Sequence, residues 1–172
     1  LLAFSRRQPV QPALLDLDAV IGGTEKILRR LLGETIEVVR ERGPGSWQVF
    51  ADAGNVEQVM INLAENARDA MEERGRLTIR TENVDLPEGG PHAGAYVRLS
   101  VVDTGCGMSE QFMRNRLFKP FESTKATGMG IGTYEARQYV RELGGRLDVV
   151  SREARGTTFR IVLPLYVPQG VA

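Results

Sequence analysis

One helix constrains what this chain can fold into. Between Val56 and Ala70, the residues Val56, Met60, Leu63, Ala67 and Ala70 recur at three- and four-residue intervals, the period of a single apolar helical face. Asn62, Asn66 and Asp69 recur at the same spacing and form a polar stripe beside it. Two amides and a carboxylate bordering a buried face do little for packing. The stripe therefore predicts a polar, charged ligand lying against this helix.

The other constraints are broad. A length of 172 residues suits one domain with a single sizeable core. Lys+Arg and Asp+Glu number 22 each, so no global field favours nucleic acid or an anionic membrane. The longest apolar runs are only a few residues, too short for a transmembrane helix. The single cysteine, Cys106, excludes an internal disulfide and a CxxC-type zinc site, and it fits a reducing compartment. Leu1-Leu2-Ala3-Phe4-Ser5-Arg6-Arg7 carries no signal-peptide pattern and reads as the last turn of an amphipathic helix, so the chain is expected to be part of a longer protein.

In order along the chain, Pro9 and Pro12 make an extended connector. A helix runs from Asp16, its N-cap, to Leu32, with Gly33 as its stop. Ile36–Arg40 and Trp47–Phe50 read as short strands joined through Gly43-Pro44-Gly45. The amide-bearing helix spans about Asn55 to Glu73. Strands around Leu77–Arg80 and Val97–Val101 follow, separated by a surface loop from Leu86 to His92. Ser109 caps a short helix, and Leu117–Gly130 forms a loop rich in glycine, threonine and lysine. A helix from Ile131 to Leu143 ends at Gly144-Gly145, before strands Arg146–Val150 and Thr157–Leu163. Helices interspersed with strand pairs predict an α+β two-layer sandwich, with the helices on one face of the sheet.

Three constellations could carry chemistry. In Asp103-Thr104-Gly105-Cys106-Gly107-Met108, Asp103 shares the parity of Val97, Leu99 and Val101 and so points to the apolar side. A carboxylate there needs a donor, and the adenine N6 amine would serve, while Gly105 and Gly107 would let the backbone turn tightly and come close to a flat ligand. The alternative is a simple turn after a strand. Thr127-Gly128-Met129-Gly130-Ile131-Gly132-Thr133 exposes successive N–H groups at a helix N-terminus, a natural phosphate site, although a flexible loop looks the same. Just upstream, Phe118 and Phe121 could tether a loop while Lys119 and Lys125 reach a polyphosphate; the alternative is a solvated basic loop.

The order of these parts resembles the ATP-binding catalytic domain of sensor histidine kinases, in the superfamily that includes type II topoisomerases, HSP90 chaperones and MutL-type repair ATPases. Asn62 to Ala70 is similar to the family's N box, and Asp103 to Met108 to its G1 box. Phe118 to Lys125 is similar to the F box, and Gly128 to Gly132 to the G2 box. The resemblance covers about Asp16 to Leu165. It implies a Bergerat-type fold, a mixed and mostly antiparallel sheet, with ATP and Mg²⁺ as cofactors. It implies that Asn66 ligates the ion, that Asn62 supports the phosphates, and that Asp103 reads adenine. Gly128, Gly130 and Gly132 would close over the triphosphate as a lid. The implied catalytic set is Asn62, Asn66 and Lys125. Asp69, Gly105, Gly107, Met108, Phe118, Thr124, Met129, Ile131 and Thr133 complete the nucleotide set.

One position separates branches of the superfamily. ATP-hydrolysing members usually carry a glutamate four residues before the metal-binding Asn, where it activates water. Here that residue is Asn62, which cannot act as a general base near neutral pH. The expected activity is therefore transfer of the γ-phosphate to a histidine on a dimerisation domain, with a response-regulator receiver domain as the next acceptor. The alternatives are an ATP-driven conformational machine and a degenerate nucleotide-sensing module. Glu122-Ser123 and Thr133 depart from the family's usual residues and bear on lid packing. His92, the only histidine, lies in a Pro/Gly loop, a context that argues against a phospho-acceptor. The expected layout is residues 1–12 as helix end and connector, 13–166 as the catalytic domain and 167–172 as a tail. That layout goes with a monomeric fragment, a homodimeric parent and a cytoplasmic location.

Overall fold

Along the chain the elements are β1 (Ala13–Asp16), α1 (Leu17–Leu32), β2 (Ile36–Arg42), β3 (Gln48–Ala51), α2 (Ala53–Met71), β4 (Gly75–Leu86) and β5 (Gly94–Asp103). They continue with α3 (Glu110–Asn115), α4 (Gly132–Glu142), β6 (Arg146–Arg152) and β7 (Gly156–Pro164). This computed structural model describes residues 11–45, 48–72, 74–87, 94–119 and 132–166. Trp47, His92 and the opening Leu1–Arg7 lie outside the described residues.

Helix boundaries follow from local chemistry. Asp16 accepts N–H bonds from Asp18 and Ala19 and caps α1, while Gly33, at φ 81°, ends it in a conformation that favours glycine. Asp52 caps α2 through the Asn55 N–H, and Ser109 caps α3 through the Phe112 N–H. The amphipathic faces then decide the layering. Leu17, Ile21 and Leu28 of α1, Val56, Met60, Leu63 and Ala67 of α2, and Ala136 and Val140 of α4 are buried together. They face Val38, Leu77, Ile79, Leu99, Val101, Phe159 and Ile161, which alternate along the strands. Each of the larger side chains among these contributes about 1.5–3 kcal/mol by leaving water, which is why one helical layer on one sheet face suffices.

The main sheet has the order β2-β4-β5-β7-β6. β2 and β4 are parallel and the other neighbours antiparallel. A two-layer α+β sandwich with a mixed, mostly antiparallel sheet is thus present, as expected. The joining of Ile36–Arg40 to Trp47–Phe50 as a hairpin is corrected. β2 pairs with β4, aligning Val38 with Leu77, and β3 instead pairs antiparallel with β1 in a separate two-stranded sheet. A parallel pair needs a long crossover, and here β3 and α2 supply it. The short strand Ala13–Asp16, which the sequence pattern does not announce, forms β1 because Phe50 and Val49 are there to pair with it.

The opposite sheet face carries cross-strand ion pairs in register: Glu37–Arg76 at 2.9 Å, Glu41–Arg80 at 2.7 Å and Glu82–Arg98 at 3.1 Å. The first two are open to solvent and the third is partly so, a setting in which such pairs contribute about 0–1 kcal/mol each. Urea unfolding should separate the two faces. Leu99→Ala, at the centre of β5, is expected to lower unfolding free energy by about 2–5 kcal/mol. Arg80→Gln should lower it by less than about 1 kcal/mol. Similar losses from the two would show that the sheet's apolar face is not what stabilises it.

Candidate nucleotide site

α2 presents the stripe as the sequence pattern requires. Met60, Leu63 and Ala67 are buried, Asn62 and Asn66 are half-buried at the border, and Asp69 is exposed, with its carboxylate 3.5 Å from Arg68 Nε. Asn62 uses both ends of its amide. Its Oδ1 accepts from Gln58 Nε2 at 3.1 Å, and its Nδ2 donates to the Gly132 carbonyl at 3.4 Å. Gly132 begins α4, so the first turn of that helix, with half-buried Thr133, stands against the stripe.

At its other end α2 meets the loop after β5. The Cys106 N–H donates to the Ala70 carbonyl at 2.9 Å. Gly105 comes so close that a Cβ on it would lie 2.7 Å from the Ala70 backbone. Gly107, at φ 71°, has no room for a side chain beside the Arg152 carbonyl. Both glycines thus permit close approach to protein, to α2 and to the β6–β7 turn, in addition to the tight turn and approach to a flat ligand that the sequence suggests. Asn66, one turn beyond Asn62, sits on α2 between these two contacts.

Asp103 ends β5 and is 6% exposed, in the inward parity read from the strand. Its Oδ1 accepts from the Gly105 N–H at 2.8 Å and the Thr157 N–H at 3.2 Å. Its other oxygen has no partner among the described residues. Burial pushes the carboxyl above its ordinary range, while these two N–H bonds pull the opposite way. The donor demanded by a buried carboxylate is therefore met in part by the protein, leaving one oxygen that suits an exocyclic amine.

The loop is buttressed by residues that the sequence reading passed over. The Ser151 hydroxyl accepts from the Met108 N–H at 2.8 Å and lies 2.7 Å from Thr157 Oγ1. Asp103 faces Thr157 in the β5–β7 register, so Asp103, Thr157, Ser151 and Met108 form one hydrogen-bonded frame. The only advance signal for Thr157 and Ser151 would have been the pairing of β5 with β7. Phe118 packs edge-on against Phe159, with ring centroids 6.5 Å apart, and Arg137 of α4 lies 4.4 Å over its ring. Thr124, Lys125, Gly128, Met129, Gly130 and Ile131 lie outside the described residues.

A mixed sheet covered on one face by an amide-bearing helix, with a buried aspartate at the end of its central strand, defines an ATP-binding α/β sandwich. The chain belongs to the histidine kinase-, DNA gyrase B- and HSP90-like ATPase family, whose model matches residues 51–167. It is 40% identical over 182 residues to the sensor kinase CckA of Brucella abortus, covering 98% of this chain and 19% of that protein. A structure of the mycobacterial sensor histidine kinase MprB superposes with a TM-score of 0.72 at 26% identity, covering 91% of this chain and 97% of that one. The histidine kinase ThkA, solved in complex with the response regulator protein TrrA, superposes with a TM-score of 0.71 at 25% identity, covering 96% and 45%. The chain spans about a fifth to a quarter of the length of the curated relatives it matches.

The frame around Asp103 makes a signed prediction. A carboxyl whose folded pKa is raised binds more protons folded than unfolded, so stability from this group is greatest below the unfolded value of 3.8 and declines as pH rises through the folded value. Asp103→Asn keeps an acceptor for both N–H groups but removes the charge. In the nucleotide-free protein its stability relative to wild type is expected to improve as pH rises through that window and to level off above it, by thermal melts at matched pH. The same variant should weaken ATP by about tenfold or more, the loss of a charge-assisted hydrogen bond. Unchanged ATP affinity would exclude Asp103 from adenine recognition.

Proposed function

We propose that the chain binds Mg-ATP between α2 and the Asp103 loop and presents the γ-phosphate to a histidine on a dimerisation domain of the same parent protein. A response-regulator receiver domain would accept the phosphate next; the ThkA–TrrA complex supports that class of partner. The observation that carries the transfer half is the bonding of Asn62. Both ends of its amide are engaged, with Gln58 and with Gly132, at the position where hydrolysing relatives place a water-activating glutamate. It braces the site and has no basic atom to offer water.

Asn66 would hold Mg²⁺ through its amide oxygen. Among the described residues no cluster of three or more His, Cys, Asp or Glu side chains converges, and an ion held chiefly by phosphate oxygens and water needs no such cage. When bound, the ion would neutralise charge on the transferring phosphoryl group. The chain's own part is then mostly positioning: Asp103 holds the base, Asn62 and Asn66 face the phosphates, and Lys125 supplies positive charge.

Isothermal titration with ATP, with and without Mg²⁺, combined with transfer of labelled γ-phosphate to an added histidine-bearing dimerisation domain, tests this reading. Asn66→Ala is expected to remove the Mg²⁺-dependent part of binding, weakening it by about tenfold or more, and to abolish transfer. Wild-type transfer by that variant would refute the assignment. Sustained ATP turnover by the isolated chain would instead favour an ATP-driven conformational machine.

A further inference from the structure

The two helices that flank the nucleotide site are pinned together by two hydrogen-bonded contacts. One is Asn62 Nδ2 to the Gly132 carbonyl. The other is the Tyr139 hydroxyl, which accepts from the Asp52 backbone N–H at 2.9 Å and lies 3.5 Å from the Asp52 carbonyl. Burial pushes the Tyr139 hydroxyl above its ordinary range, and the side chain of Asn55, in the first turn of α2, is among the groups that pull the other way. Gly132 and Tyr139 are seven positions apart on α4, and Asn55 and Asn62 are seven apart on α2. The order is reversed between the helices, so α4 runs antiparallel to α2 with the two contacts two turns, or about 11 Å, apart.

Tyr139 is 7% exposed and part of the core, where a phenylalanine of the same shape would serve for packing alone. Its hydroxyl adds direction. Asp52 is itself a fixed anchor, because one carboxylate oxygen caps α2 at Asn55 N–H and the other accepts from the Gln11 N–H at 2.7 Å. We infer that Tyr139 is a positioning residue for the nucleotide site. Its bond to the Asp52 backbone sets how far α4 slides along α2, and so where Gly132 meets Asn62. The inference rests on reading the α2 stripe as the phosphate-facing surface.

The test is Tyr139→Phe in this 172-residue chain, read by ATP titration with Mg²⁺ and by amide spectra. A variant of comparable melting loss elsewhere, Ile36→Val on edge strand β2, separates register from stability. Tyr139→Phe is expected to raise the ATP Kd by about three- to tenfold, the loss of one hydrogen bond. It should also move the Asn62 side-chain amide and Gly132 backbone signals, two turns from the substitution; Ile36→Val should do neither. Wild-type affinity with spectral changes confined to Asp52–Asn55 would overturn the inference, as would equal weakening by Ile36→Val. Failure of the wild-type chain to bind ATP would count against the proposed function alone, since the spectra still report whether Gly132 and Asn62 move.

Discussion

The site depends on a carboxylate placed where a carboxylate is unfavourable. Asp103 closes the central strand on its apolar side, and burial alone pushes its charge towards protonation. Two backbone N–H groups from different parts of the chain hold one oxygen, Gly105 from the loop just beyond and Thr157 from the neighbouring strand. That pairing orients the group and leaves the second oxygen directed by the first. The surrounding contacts are arranged to keep it so. Ser151 and Thr157 brace the loop from the sheet side, and Cys106 ties it to the C-terminal turn of α2. The protein satisfies only one of its two oxygens, so the fold itself bears part of the cost of burying the group.

The layers were legible in the sequence because they obey periods. The α2 stripes, the inward parity of Asp103 and the caps at Asp16 and Ser109 are local patterns, and each appears where the residue types place it. Strand partners were less legible. Nothing within Ile36–Arg42 says that it pairs with β4 instead of β3; that choice is made by the crossover through α2 and by the packing of Val38 beside Leu77. The parts of the site missed beforehand are missed for the same reason. Thr157 and Ser151 become visible only once β7 lies between β5 and β6, and Tyr139 looks like an ordinary core aromatic until α4 is set against Asp52.

The glycines illustrate how a loop's steric demand can come from the protein itself. Gly105 and Gly107 were expected to bring backbone near a flat ligand, and they do allow a tight loop. The steric demand that the structure displays comes from protein: the Ala70 backbone on one side and the Arg152 carbonyl on the other. With a Cβ at Gly105 the loop would be pushed off α2, separating Asp103 from the amide stripe. The glycines therefore hold Asp103 and the amide stripe of α2 at a set distance, a steric requirement of the protein itself.

The same logic bears on why an amide at position 62 is compatible with phosphoryl transfer. A glutamate there would present acceptors only, and it could not donate to the Gly132 carbonyl while ionised. Asn62 accepts from Gln58 with its oxygen and donates to Gly132 with its nitrogen, joining two helices with one side chain. The substitution that removes a base thus also creates a brace. Hydrolysis needs an ordered, activated water at this place; transfer to a protein acceptor needs the phosphates held still while water is left unactivated. An amide bonded at both ends would meet the second requirement and not the first, and the same bonding ties α2 to the first turn of α4.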